Sequence, residues 1–227
     1  MAGNTAERVE KLISATVAEM GYDLWDVRFL KEGASWYLRV FIDKDEGVWI
    51  NDCTDVSHAI DPILDELFWD GITTVQKLRA IYDYVYDNTA YVSTSDKSGW
   101  VRAAYNGLLN RNGDCFTYFA LSKAMMERAG IQNMDIQRSP EIAAMVNERH
   151  YWSLVNIGTE ANPQWYHFDA CHMSGTPKPW GFLMTDEQLL QFSDKRENAD
   201  GISGYFYVYD STAYPSTSTQ IFTPYHP

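Results

Sequence analysis

The sequence predicts an α+β protein in two parts. A small two-layer α-β-β-β-α module is expected over residues 1–66, and a larger α+β domain over residues 67–227. In the larger part, a helix bearing a cysteine packs on an antiparallel sheet bearing a histidine and an aspartate. Three observations predict this. Near the front, the apolar residues change from helical to alternating spacing and back. At Gly113-Asp114-Cys115, a turn residue and a cap residue precede a long apolar helical run. Beyond it, His150 and Asp169 each lie at the end of a short strand-like run.

The front elements follow in order. Over Thr5 to Met20, Val9, Leu12, Ile13, Val17 and Met20 fall at helical spacing, and Gly21 stops the helix. Leu24–Leu30 and Trp36–Ile42 alternate as strands, joined through Lys31-Glu32-Gly33-Ala34-Ser35 as an antiparallel hairpin. Asp43–Gly47 turns the chain into a short strand at Val48-Trp49-Ile50. A helix starting near Asn51-Asp52 then places Val56, Ala59, Ile60 and Ile63 on its apolar face. The joint at Leu67–Gly71 is short and apolar, so the two parts are expected to pack together.

In the second part, Phe116, Phe119, Ala120, Lys123, Ala124, Met126 and Glu127 run at helical spacing up to Gly130. Cys115 therefore falls on the first turn of a buried helix. His150 opens the strand His150–Ile157, and Asp169 closes the strand Trp165–Asp169, with Trp165, His167 and Asp169 on one face. Tyr205–Tyr209 reads as a last strand, and the Ser/Thr/Pro/Tyr-rich end beyond it as a surface-draped tail.

Those positions carry chemistry. Cysteine attacks as thiolate, and the free N–H groups and dipole of a helix N-terminus favour that charge. A nearby imidazole can hold the thiolate as an ion pair and later protonate a leaving amine. A carboxylate on the neighbouring strand can orient the ring and fix its tautomer. A cysteine in an apolar helix serves packing more often than attack, and spacing alone leaves both readings open.

The residues Lys77–Val85, Ser95–Ser98, Ala103-Ala104-Tyr105, Gly113–Tyr118, His150-Tyr151-Trp152 and Trp165–Asp169 resemble the transglutaminase-like superfamily, particularly its small bacterial members. The resemblance implies a papain-like/transglutaminase-like fold. It also implies Cys115 as nucleophile, His150 as general base and acid, and Asp169 as its orienter. The oxyanion donors would be the backbone N–H of Cys115 and an upstream aromatic, for which Trp100 and Tyr91 are the candidates. The activity implied is thiol-dependent amide chemistry on a protein or peptide, with hydrolysis placed ahead of transamidation. The alternative is a catalytically silent binding scaffold. No cofactor is expected. No metal is expected either, since His167, Cys171 and His172 fit no standard structural zinc spacing and no Asp/Asn/Gly-rich calcium loop is visible.

The front residues Glu19–Val27, Lys31-Glu32-Gly33, Trp36–Lys44 and Asp52–Ser57 resemble the N-terminal domain of the ribosome maturation factor RimP, a match expected to stop after Leu64-Asp65-Glu66. Residues 1–66 hold 6 Lys+Arg against 14 Asp+Glu, which suits a ribosomal or other protein partner better than rRNA. The whole chain has a net charge of -13, which argues against nucleic-acid binding by bulk electrostatics. Its 45% apolar content supports a packed core. The 3 cysteines, Cys53, Cys115 and Cys171, cannot all pair, as suits a reducing compartment. With no apolar signal core and no spanning segment, the chain reads as cytoplasmic, or extracytoplasmic should a targeting segment be missing.

Overall fold

A computed structural model describes residues 61–173 and 175–223, two strands at 23–32 and 35–43, and positions 6, 7, 10, 11, 14 and 18. The fold is mixed helix and strand, as the sequence predicts. At the front, β1 (Asp23–Glu32) and β2 (Ser35–Asp43) form an antiparallel hairpin in register from Glu32 opposite Ser35 to Asp23 opposite Asp43. The register shifts between Leu24 and Asp26. The hairpin runs longer than the alternation suggests, because the turn residues Lys31, Glu32 and Ser35 join the ladder. The expected strand at Val48–Ile50 and the helix start at Asn51-Asp52 lie outside the described residues. Of the expected helix at Thr5–Met20, the described positions are all helical.

Residues 61–67 form a helical segment at the junction. Leu64 is buried in the core of the second part, with Ile63, Leu67 and Phe68 packed against it. Asp61 accepts a forked pair from Arg128 at 2.5 and 2.6 Å. The expected boundary at 66/67 thus runs through a segment that docks on the larger part.

The larger part is built around one helix. Helix α1 (Thr74–Asn88) starts with a reciprocal cap between Thr73 and Gln76 and buries Leu78, Ile81, Tyr82 and Val85 along one stripe. After the two-residue strand β3 (Ala90–Tyr91), helix α2 (Trp100–Asn110) leads to β4 (Asn112–Gly113), which pairs in parallel with β3. Helix α3 (Cys115–Arg128) follows at once. It buries residues on every side, among them Tyr118, Leu121, Ala124 and Met125, as suits a helix packed against α1, α2 and the sheet together. Gly113 makes the approach possible, since a Cβ there would lie 2.1 Å from Thr117 Oγ1.

The sheet comprises β5 (Asn133–Gln137), β6 (Tyr151–Asn156), β7 (Trp165–Phe168) and β8 (Phe182–Met184), in that order with antiparallel neighbours. Helix α4 (Pro140–Met145) links β5 to β6, and α5 (Asp186–Asp194) follows β8. No helix among the described residues is long and apolar enough to cross a membrane.

Two expectations change at the end of the chain. Tyr205–Tyr209 is not a strand but a buried irregular segment. Its backbone partners are scattered: Arg138 Nε donates to Phe206 O, Ser139 N to Val208 O, and Tyr207 N to Ser193 Oγ. Among the described residues no neighbouring strand offers it a ladder, and burial of Tyr205, Phe206 and Tyr207 holds it instead. The tail also does more than drape. Ser218 N donates to Trp165 O, and Phe222 packs edge-on to Tyr166 and Phe182.

Gly181 closes the sheet onto Asp169. Its carbonyl accepts the Asp169 N–H at 2.8 Å, its φ is +86°, and a Cβ would sit 2.1 Å from Asp169 O. Gly181→Ala is therefore expected to destabilise the protein by about 3 kcal/mol, through both backbone strain and collision. Urea denaturation measures this; a loss near zero would contradict the packing described.

Candidate active site

Cys115 takes its place from the helix start. Asp114 has extended backbone dihedrals and caps α3, its Oδ1 accepting the Phe116 N–H at 3.0 Å. The cap is itself clamped: Ser95 Oγ donates to Oδ1 and Lys97 Nζ to Oδ2, each at 2.6 Å. Burial disfavours the Asp114 charge, but the Lys97 and Ser95 hydrogen bonds outweigh it and hold the carboxyl below its usual range. The half-buried Cys115 points its Sγ toward Arg149 O, 3.6 Å away, in the residue that precedes His150.

His150 lies one residue ahead of β6, and Asp169 one residue beyond β7. Both are buried, and His150 Nε2 stands 2.7 Å from Asp169 Oδ2. Cys115 lines the same cavity as this ring and is among the groups that favour its charged form. With Nε2 committed to Asp169, Nδ1 is the nitrogen left for the thiol. Burial disfavours the imidazolium, yet the Asp169 charge and hydrogen bond, joined by Cys115, prevail and push His150 up to about 9. Trp152, Phe206 and Tyr207 pack around the ring at centroid distances of 5.6, 4.7 and 5.3 Å and leave one side of it facing the cavity.

Asp169 is fully engaged. Besides His150, its Oδ2 accepts the Tyr207 hydroxyl at 2.8 Å, and its Oδ1 accepts the Cys171 N–H at 2.9 Å. The thiol and imidazole open onto a cavity of ≈ 420 Å³ lined also by Tyr86, Tyr91, Glu148, His172 and Arg196. His172 stacks on Tyr86 at 3.9 Å and forms an aromatic wall.

The structure brings Cys115, His150, Asp169 and Tyr91 together and places Trp100 elsewhere. Tyr91 is 52% exposed overall, but partial burial of its hydroxyl, then Cys115, pushes that group up to about 12; like any tyrosine it is a donor at neutral pH. Trp100 instead opens α2, with Lys123 Nζ 4.9 Å from its ring centre, on the third turn of α3. His167 is a packing residue: it accepts from Trp152 Nε1 at 3.0 Å and meets Asp186 at 2.7 Å. Among the described residues, no group of three or more His, Cys, Asp or Glu is placed to hold a metal ion. Sequence reasoning missed Tyr207, the Cys171 N–H and the Lys97 clamp. Lys97 lies in a quoted motif, but nothing in one sequence ties a tyrosine to an aspartate 38 residues earlier.

Comparison with known proteins agrees with the two resemblances. Residues 12–77 match the family model of the RimP N-terminal domain, and residues 70–170 that of the transglutaminase-like superfamily. The first match runs past Glu66 into the start of α1. Two solved structures are similar at low identity. One is a candidate cysteine protease from Cytophaga hutchinsonii, with 14% identity over 66% of this chain and 64% of that one, at a TM-score of 0.38. The other is a TGase, with 11% identity over 88% of this chain and 67% of that one, at a TM-score of 0.41. The chain thus spans about two thirds of their lengths.

The His150 environment makes stability depend on pH. Its folded value of about 9 exceeds the ordinary 6.5, so its contribution is full below 6.5 and is lost as pH rises through 9. The expected loss is about 3 kcal/mol in order of magnitude. Urea midpoints measured from pH 6 to 10 should fall across that window, and Asp169→Asn should flatten the fall. An unchanged slope in the variant would contradict the assignment.

Proposed function

We propose that this protein carries out thiol-dependent amide-bond chemistry through an acyl-enzyme, with Cys115, His150 and Asp169 as nucleophile, acid–base and orienter. The observation that carries the reading is the buried imidazole bonded through Nε2 to Asp169 at 2.7 Å, with the Cys115 thiol on the wall of the same cavity. The superfamily match over residues 70–170 supports the same class of thiol enzyme.

The steps follow from the geometry. The Cys115 thiolate adds to the substrate carbonyl and forms the C–S bond, and the carbonyl oxygen takes up the negative charge. The Cys115 N–H, at the first helical position and so without an intrahelical acceptor, faces that charge. Tyr91, from the cavity wall, is the second donor in this reading, in preference to Trp100. His150 passes its Nδ1 proton to the leaving nitrogen as the C–N bond breaks, which leaves a thioester. Water, or an amine, then gives a proton to Nδ1 as its oxygen or nitrogen attacks, and the thiolate departs. Asp169 keeps the Nε2–H throughout. Hydrolysis is the first expectation, because water always reaches a cavity open to solvent. The substrate is a protein or peptide, seated along the Tyr86, Tyr91 and His172 wall.

The front module is assigned a protein partner. Its acidic balance disfavours RNA, and its match is to the N-terminal domain of RimP alone.

Reactivity of the thiol tests the reading before any substrate is known. Peptide-resolved iodoacetamide labelling from pH 5 to 9 should modify Cys115 rapidly at mildly acidic pH. In His150→Ala that early reactivity should vanish, leaving only the rise of an ordinary thiol near pH 8.5. Equal profiles in the two proteins would sink the reading.

A further inference from the structure

We propose that Tyr207 is a positioning residue for this site: its hydroxyl locks the Asp169 carboxylate in the orientation that holds the imidazole. The inference deepens the thiol-enzyme reading and rests on it. Tyr207 is 5% exposed, and its OH donates to the same Oδ2 that accepts the His150 Nε2–H, at 2.8 and 2.7 Å respectively. An aspartate carboxylate turns easily about its last torsion. Donors on both oxygens, from His150, Tyr207 and Cys171 N, define its plane. Without the phenol, only the Cys171 N–H is left beside the His150 bond itself to hold the carboxylate in that orientation.

Tyr207 is itself held firmly. Its N–H donates to Ser193 Oγ at 3.0 Å, and that hydroxyl donates to Leu189 O at 2.9 Å within α5. Its ring meets Trp152 edge-on at 5.1 Å and also stands edge-on to His150. A line of hydrogen bonds therefore runs from α5 through Tyr207 and Asp169 to His150, which shares its cavity with Cys115. The titratable groups facing the phenol are Asp169 and His150, with Cys171 and Cys115 beyond them. Its other neighbours, Phe192 and Phe206, are uncharged, though the Arg196 guanidinium lies over both. Burial, then Asp169, raises the Tyr207 phenol well above its ordinary value, so it stays a donor over the working range. When His150 gives up its Nδ1 proton, the hydroxyl continues to satisfy Oδ2. Asp169 is thereby kept from drawing off the Nε2 proton.

Tyr207→Phe removes the hydroxyl and keeps the ring. The experiment compares Cys115 labelling rates from pH 5 to 9 in wild type, Tyr207→Phe, Asp169→Asn and the double variant, with thermal melts of each. Tyr207→Phe is expected to slow neutral-pH labelling about tenfold, the lower end for loss of an outer partner of a functional group. It should also shift the pH profile, and it should add less than about twofold in the Asp169→Asn background, because the two act in one chain. A wild-type rate and profile in Tyr207→Phe, with only the melting temperature lowered, would show a purely structural residue and overturn the proposal. A full additional loss in the double variant would overturn it too. Should Tyr207→Phe fail to fold, 3-fluorotyrosine at 207 keeps the ring and strengthens the donor; a moved profile supports the lock and an unmoved one defeats it. If wild type labels no faster than His150→Ala, the thiol-enzyme reading fails first and takes this proposal with it. The wild-type arm thus separates the two failures.

Discussion

A buried carboxylate is the constraint on which the rest of this site depends. Asp169 is 6% exposed, and an ionised group so placed costs several kcal/mol unless every lone pair finds a donor. Here it finds three, from three different parts of the chain: the imidazole ahead of β6, the phenol of the Tyr205–Tyr209 segment, and the amide of Cys171. Of the three, only Cys171 lies near Asp169 in the sequence, two residues on. Satisfying one charge therefore fixes the sheet register, the Gly181 crossing and the course of the chain after α5. Removing any donor leaves the charge exposed to a low-dielectric surround, so the network stands or falls together.

The second fixed point is the start of α3. A helix with buried residues on every side lies at the centre of the domain, and α1, α2 and the sheet pack against it. Its N-terminal end carries the half-buried Cys115, and the cap that stops fraying there is tied to the Ser95–Lys97 loop. That places a polarisable sulfur where free backbone N–H groups point, on the same cavity as the His150 imidazole. The geometry of the candidate site thus joins a helix start and two strand ends to loop groups that hold them, Ser95, Lys97, Cys171 and Tyr207.

Much of this was legible in the sequence, for identifiable reasons. The helix beginning at Cys115 announces itself through Asp114 as cap and through apolar spacing, both local signals. The β6 and β7 strands show alternation long enough to read, and the observed ends differ by one residue because His150 and Asp169 turn their side chains to each other. The Tyr205–Tyr209 segment misled, since five residues rich in aromatics look like a strand whether or not a ladder partner exists. Non-local facts were out of reach. The Tyr207–Asp169 bond, the Gly181 approach and the choice of Tyr91 over Trp100 all depend on contacts between distant residues that composition and spacing do not encode.

The most direct test of the account is whether Cys115 carries an acyl group. Intact-protein mass spectrometry after mixing with an activated acyl ester, such as a p-nitrophenyl ester, reads this without knowledge of the natural substrate. The account predicts one acyl adduct on Cys115, formed far faster than in His150→Ala and released by water or an added amine. Absence of that adduct, or its equal formation in the variant, would contradict it.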